Sequence, residues 1–384
     1  MSVLDKKEKE GPRKLLALDG GGIRGVMTLE VLERIQSELQ QRLGRGDDFV
    51  LADYFDYVAG TSTGAIIATC LSLGMRVEDI RSFYIDSGPA MFDKANLLRR
   101  YYRNKFQSEK LTKKLKDVIA GKTGEPDATL GTEALRTYLM LVLRNATTDS
   151  PWPVSNNPDA MYNDPALSDS NLKLPLWQLV RASTAAPTFF PPEVIDFEGD
   201  DGEPYEFIFV DGGVTMYNNP AFQLFLMATV KSYRLGWPTG EDKMLLVSIG
   251  TGIAADANKN LSPEEMNIVY NASSLPSAFM FAASNEQDFL CRVFGRCLNG
   301  GVLDSEVSDM SCDAGAGPVS PKLFTYMRYN ADLTRSGLDA LGLGHIEPRS
   351  VQQLDSVAHI PQIQEVGRAI ARQVNIAHFE GFLD

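Results

Sequence analysis

Residues 57–74 read YVAGTSTGAIIATCLSLG. The apolar run Tyr57 to Ala59 predicts a strand. Small and apolar residues from Ala65 to about Leu73 predict a helix, stopped by Gly74. Between them stands Gly60-Thr61-Ser62-Thr63-Gly64. A strand that turns into a helix through a tight glycine loop is the repeating unit of a parallel α/β sheet. The unit recurs on either side. Lys14–Leu18 (KLLAL) predicts a strand, followed by Asp19, Gly20, Gly21, Gly22 and Gly25. A helix then runs to about Arg42 on Val26, Leu29, Val31, Leu32 and Ile35, and Gly44 and Gly46 end it. Downstream, YLMLVL (138–143), EFIFV (206–210) and 244–249 predict strands. The last two lead into Asp211-Gly212-Gly213 and Gly250-Thr251-Gly252. Pro175 and Pro220 stand where helices open. The expected fold is α/β with a mostly parallel central sheet, and such sheets bind ligands in glycine-bearing loops at the strand ends.

Composition narrows the class. The 384 residues carry 37 Lys and Arg against 50 Asp and Glu, a net charge of −13. An acidic chain lacks the cations that bulk phosphate binding needs, so no nucleic-acid partner is expected. No apolar run reaches the roughly 20 residues that span a bilayer. The charged start MSVLDKKEKEGPRK has no apolar signal core. Cys70, Cys291, Cys297 and Cys312 match no zinc spacing and form no disulfide framework, so reduced thiols in a cytoplasmic protein are expected. Residues 1–12 read as a mobile tail, 13–255 as the main α/β domain, and 256–384 as a mainly helical region packed on it.

Three motifs carry candidate chemistry. Gly60–Gly64 is G-x-S-x-G between strand and helix. There a serine sits on a sharp turn with its Oγ exposed, and the following helix N-terminus favours developing negative charge. The alternative is a glycine packing turn. The segment DGGGIRG (19–25) fits two readings. Gly20, Gly22 and Gly25 satisfy G-x-G-x-x-G, but the acidic residue of a dinucleotide site has no second strand to end at Asp47 or Asp48. The other reading is an oxyanion hole, in which Gly20, Gly21 and Gly22 present backbone N–H groups to one point. Arg24 would then fix the loop or draw in an anionic phosphate. Asp211 caps a turn or acts as base for Ser62. The only histidines, His345, His359 and His378, follow every one of these units. A Ser-Asp-His order remains formally open.

Taken together, DGGGIRG, GTSTG and DGG (211–213), in that order, resemble the patatin-like phospholipases. RASTAAPTFFPP (181–192), NNP (218–220) and SIGTG (248–252) are similar to the family as well. YMRYNADL (326–333) and the helical end resemble its bacterial members more loosely. The resemblance implies a three-layer α/β/α sandwich and a phospholipase A type acyl hydrolase that uses no histidine, calcium or other cofactor. It implies Ser62 as nucleophile, Asp211 as its partner and Gly20–Gly22 as the oxyanion loop, with Gly60 and Gly64 shaping the nucleophile turn. The partner expected is a phospholipid membrane surface, met peripherally. Some bacterial relatives are antiviral effectors switched on by a small nucleotide activator, and that alternative stays open, as does a histidine-dependent esterase on small esters.

Two further stretches bear on a membrane. Lys94 to Lys122 holds ten Lys and Arg but only Glu109 and Asp117 as acids, with Leu97, Leu98, Tyr101, Tyr102 and Phe106 interleaved. It suits an anionic bilayer or is a solvated helix face. Residues 275–294 read as core packing, with an acyl pocket or interface as the alternative.

Overall fold

A computed structural model of the chain describes residues 3–92, 100–187, 189–199, 201–253, 268–303 and 318–383. The stretches 93–99 and 304–317 lie outside these, and with them the start of the basic segment and Cys312.

The described residues build one nine-stranded sheet. The strands are β1 (Arg13–Leu18), β2 (Tyr57–Thr61), β3 (Tyr138–Asn145), β4 (Ser150–Ser155), β5 (Glu193–Glu198), β6 (Pro204–Asp211), β7 (Met244–Ile249), β8 (Arg296–Asn299) and β9 (Thr325–Tyr329). β1 lies parallel between β2 and β7. β3 continues the parallel set beside β2, and β9 and β8 continue it beyond β7. β4, β5 and β6 are the antiparallel part. The helices are α1 (Val3–Glu8), α2 (Gly25–Arg42), α3 (Leu51–Tyr54), α4 (Thr63–Ser72), α5 (Val77–Phe92), α6 (Arg100–Thr123), α7 (Leu176–Ser183), α8 (Ala221–Thr229), α9 (Ile268–Phe294), α10 (Arg335–Ala340), α11 (Pro348–Gln352) and α12 (Ile360–Ala371).

Side chains alternate across a strand, and β1 shows what that does here. Leu16 and Leu18 join one apolar core with residues of α2, α4, α5 and α12. Leu15 and Ala17 join a second core with Ala221, Leu224 and Phe225 of α8. Both faces of the sheet are thus covered, which makes the three-layer sandwich and explains why β1, β7 and β9 are buried along their whole length.

The chain departs from two expectations at its ends. Residues 3–8, read as part of a tail, form α1. The cause is Asp56, a fully buried carboxylate. Lys6 Nζ lies 3.7 Å from it and Lys9 Nζ 2.9 Å. A buried acid needs cations, and the polar look of the segment conceals that use. The region after 255, read as mainly helical, holds α9 to α12 among the described residues and also adds β8 and β9 to the same sheet.

One pairing positions the site. β4 occupies one edge of β3 from Met140 to Asn145. β2 and β6 therefore share the other edge. β2 ends with Thr61 opposite Val142, and β6, running the opposite way, ends with Asp211 opposite Leu143. The two strands meet end to end, and that junction brings residue 62 to residue 211.

Candidate active site

Ser62 follows the last residue of β2 and precedes α4. It has φ 54° and ψ −121°, a region that non-glycine residues enter only when the surroundings hold them there. Both flanking glycines are needed. A Cβ on Gly60 would fall 2.1 Å from Gly64 O, and one on Gly64 would fall 2.3 Å from Leu18 O. The turn is tied down by its own amide. Ser62 N donates to Ser183 Oγ at 2.9 Å, and Ser183 Oγ donates to Val142 O at 2.6 Å.

Asp211 ends β6 and caps the short turn Gly212–Val214. Its Oδ1 accepts from Gly213 N at 2.7 Å, and its Oδ2 accepts from Ser62 Oγ at 2.6 Å. The residue is 5% exposed. Burial pushes its carboxyl up to about 6, against the pull of Ser62, the Gly213 amide and the Arg181 guanidinium. A carboxylate with that proton affinity is a far better base near neutral pH than an exposed aspartate.

The glycine loop closes over this pair. A Cβ on Gly20 would lie 3.3 Å from Ser62 Cβ. Gly20 N donates to Asn218 O at 3.1 Å, and Thr251 Oγ1 donates to Gly20 O at 2.7 Å. Gly22 adopts φ 59° against Leu354 O, which also accepts from Ile23 N at 2.9 Å. Among the described residues the amides of Gly21 and Gly22 have no acceptor, whereas that of Gly20 is already engaged. Below the loop, Asp19 pairs with Arg328 of β9. Burial disfavours the charge on Arg328, but the Asp19 carboxylate outweighs that and raises its pKa.

Residues 16–225 match the family model for patatin-like phospholipase. The chain belongs to the patatin-like phospholipase family. It is similar to Patatin-T5 of Solanum tuberosum, with 27% identity over 77% of this chain and 79% of that one. It is also similar to Patatin-17 of Solanum cardiophyllum, with 29% identity over 65% and 63% of the two chains. Among solved structures, VipD from Legionella pneumophila aligns over 93% of this chain and 67% of that one, at 15% identity and a TM-score of 0.38. A general lipid-hydrolase activity follows from the family.

In this patatin-like phospholipase Arg24 opens α2 beside the loop. Its Nε approaches Gly21 O at 3.5 Å. Burial lowers its pKa to about 10, partly offset by Asp19. It makes no ion pair among the described residues. The groups acting on Asp211 are Ser62, Gly213 and Arg181, with no histidine among them. His345 is exposed and pairs with Glu365 at 3.2 Å, and His359 and His378 belong to short turns near the C-terminal end of the chain. No group of three or more His, Cys, Asp or Glu among the described residues is placed to hold a metal ion. None of the described helices is long and apolar enough to cross a membrane.

The stretch 275–294 divides. Ser284, Gln287, Asp288 and Cys291 are buried, and Asn218 Nδ2 donates to Ser284 Oγ at 3.1 Å. Phe279 is 68% exposed, while the next residue, Met280, packs against Gly213. Val214 and Met216, directly after the Asp211 turn, are also exposed. The motif reading gives no part to Ser183, Asn218, Thr251 or Arg328. Ser183, Asn218 and Thr251 lie in stretches that resemble the family, and Arg328 shows as one charge inside the buried strand TYMRY.

Proposed function

We propose that this patatin-like phospholipase cleaves fatty-acyl ester bonds of membrane phospholipids by a Ser62–Asp211 dyad, without calcium. Ser62 Oγ attacks the acyl carbonyl carbon as Asp211 takes its proton. Collapse of the tetrahedral intermediate expels the lyso-lipid alkoxide, which leaves as the alcohol with the proton from Asp211. Water then hydrolyses the acyl-Ser62 ester, again with Asp211 as base. The amides of Gly21 and Gly22 hold the oxyanion, because that of Gly20 is engaged by Asn218 O. Gly20 serves by letting the loop approach Ser62. Arg24 supplies a cation for the lipid phosphate or for the loop itself.

What carries this reading is the 2.6 Å hydrogen bond from Ser62 Oγ to a buried Asp211 whose carboxyl titrates at about 6. The exposed Val214, Met216 and Phe279 beside the dyad support a lipid surface as the place of action. So do the exposed Lys113 and Lys114 of α6. The protein would reach the bilayer from the cytoplasm as a peripheral enzyme.

The test is hydrolysis of a p-nitrophenyl ester and of mixed phospholipid vesicles with chelator present. Wild type, Ser62→Ala, Asp211→Ala and a His345/His359/His378→Ala triple variant are compared. The dyad reading expects loss in the first two variants and retention in the third. A folded but inactive triple variant would hand the chemistry to a histidine.

A further inference from the structure

Asn218 lies in the turn after Asp211 and is 6% exposed. Its main-chain oxygen holds Gly20 N, and its Nδ2 holds Ser284 Oγ. Its Oδ1 is buried and has no hydrogen-bond partner. Burying an acceptor without a donor is unfavourable, so what this atom faces bears on its use. A Cβ on Gly20 would lie 2.5 Å from Asn218 Oδ1 and 3.3 Å from Ser62 Cβ. A Cβ on Gly213 would lie 2.9 Å from Asn218 Oδ1 and 3.0 Å from Asp211 Oδ1. The oxygen thus lies against two glycines, within about 6 Å of Ser62 Cβ and of Asp211 Oδ1, a span that one water bridges.

The two halves of the proposed reaction differ in one respect. In acylation the nucleophile is Ser62, with a single hydroxyl hydrogen, and Asp211 already accepts it. In the acyl-enzyme Ser62 Oγ carries no hydrogen, so Asp211 Oδ2 is left without its donor. The incoming water has two hydrogens. One goes to Asp211, and the other needs a second acceptor.

We propose that Asn218 Oδ1 is that acceptor, and that Asn218 is a catalytic residue of deacylation only. The inference rests on the Ser62–Asp211 reading. The water oxygen bonds to the acyl carbon while Asp211 takes one proton and Asn218 holds the remaining hydrogen. The carbon–Oγ bond then breaks, the proton passes from Asp211 to Ser62 Oγ, and the fatty acid leaves.

An alcohol acceptor distinguishes this role from a structural one. Methanol has one hydroxyl hydrogen, so its attack on the acyl-enzyme needs Asp211 but not Asn218. With a p-nitrophenyl ester in aqueous methanol, Asn218→Ala is expected to keep its burst of p-nitrophenol. Its ratio of methyl ester to free fatty acid should rise about tenfold, the size of one lost hydrogen bond. The acylated protein should accumulate and be visible by intact mass. Ser284→Ala, which removes only the anchor of Asn218 Nδ2, should shift the ratio the same way by less, and it serves if Asn218→Ala does not fold. An unchanged ratio in both variants, or a burst that falls with turnover, would overturn the proposal. If Ser62→Ala and Asp211→Ala keep wild-type rates, it is the dyad reading that has failed.

Discussion

Arg328 grips Asp19 with two hydrogen bonds, of 2.8 and 2.6 Å, across 309 residues of sequence. Both side chains are almost fully buried, and Arg328 Nη1 also donates to Ser248 Oγ at 2.7 Å. Asp19 is the first residue of the glycine loop, so a strand late in the chain fixes the loop that covers Ser62.

Arg328→Leu therefore leaves a buried carboxylate alone. Removing one partner of a buried ion pair costs about 3–5 kcal/mol, and a lower urea midpoint should report it. Asp19→Asn combined with Arg328→Leu should recover part of the loss, since no lone charge then remains. A single variant as stable as wild type would show that the pair is not what holds the loop.

The raised carboxyl of Asp211 gives two pH signatures. kcat/KM for a soluble ester should rise through about pH 6 as Asp211 loses its proton. Stability should do the reverse. The folded state binds that proton more tightly than the unfolded chain, whose aspartate titrates near 4. Asp211 thus destabilises the fold increasingly from about pH 4 to pH 6, and fully above. Asp211→Asn should raise stability by roughly 1–3 kcal/mol at pH 7 and leave it unchanged near pH 3. Thermal melts at the two pH values check the sign.

Ser183 joins the strand junction to the nucleophile turn. Ser183→Ala strands both Ser62 N and Val142 O in a buried place. An unmatched buried group costs about 1–3 kcal/mol, so melting temperature and kcat should fall together while KM for a soluble ester stays near its original value. A variant with full kcat would mean that the φ of Ser62 is set elsewhere.

Membrane action separates from chemistry by choice of substrate. Met216→Asp with Phe279→Asp, or Lys113→Glu with Lys114→Glu, should lower binding to anionic vesicles by about tenfold at low salt, on the scale of ~1 kcal/mol per near-surface cation. Hydrolysis of a soluble p-nitrophenyl ester should persist. Vesicle flotation alongside the soluble assay reads both, and equal binding by all proteins would remove these faces from the account.

Much of this was legible beforehand, for a physical reason. The turn around Ser62, the glycine loop after Asp19 and the cap at Asp211 depend on local backbone demands, and glycine betrays such demands in the sequence. The alternation of strands and helices follows from the burial of β1, β2 and β7. What hides from a linear reading is whatever depends on register. That β2 and β6 meet on one edge of β3 cannot be read from GTSTG or DGG. Nor can the engagement of Gly20 N by Asn218, which leaves Gly21 and Gly22 as the open amides. Lys6 looked like part of a solvated tail because its partner, Asp56, is 50 residues away in the sequence and fully buried.

The seam between β2 and β6 also bears on how the enzyme fails. β6 joins β3 through the pairs Leu143–Asp211, Arg144–Val210 and Asn145–Phe209, a short ladder, and its other partner strand is β5 of the same hairpin. Strand ends held this lightly open before the body of a domain does. Warming should silence turnover while most of the sheet is still intact, and cooling should restore it. The junction that brings Ser62 to Asp211 is then expected to act as a fuse, giving way before the rest of the sheet does.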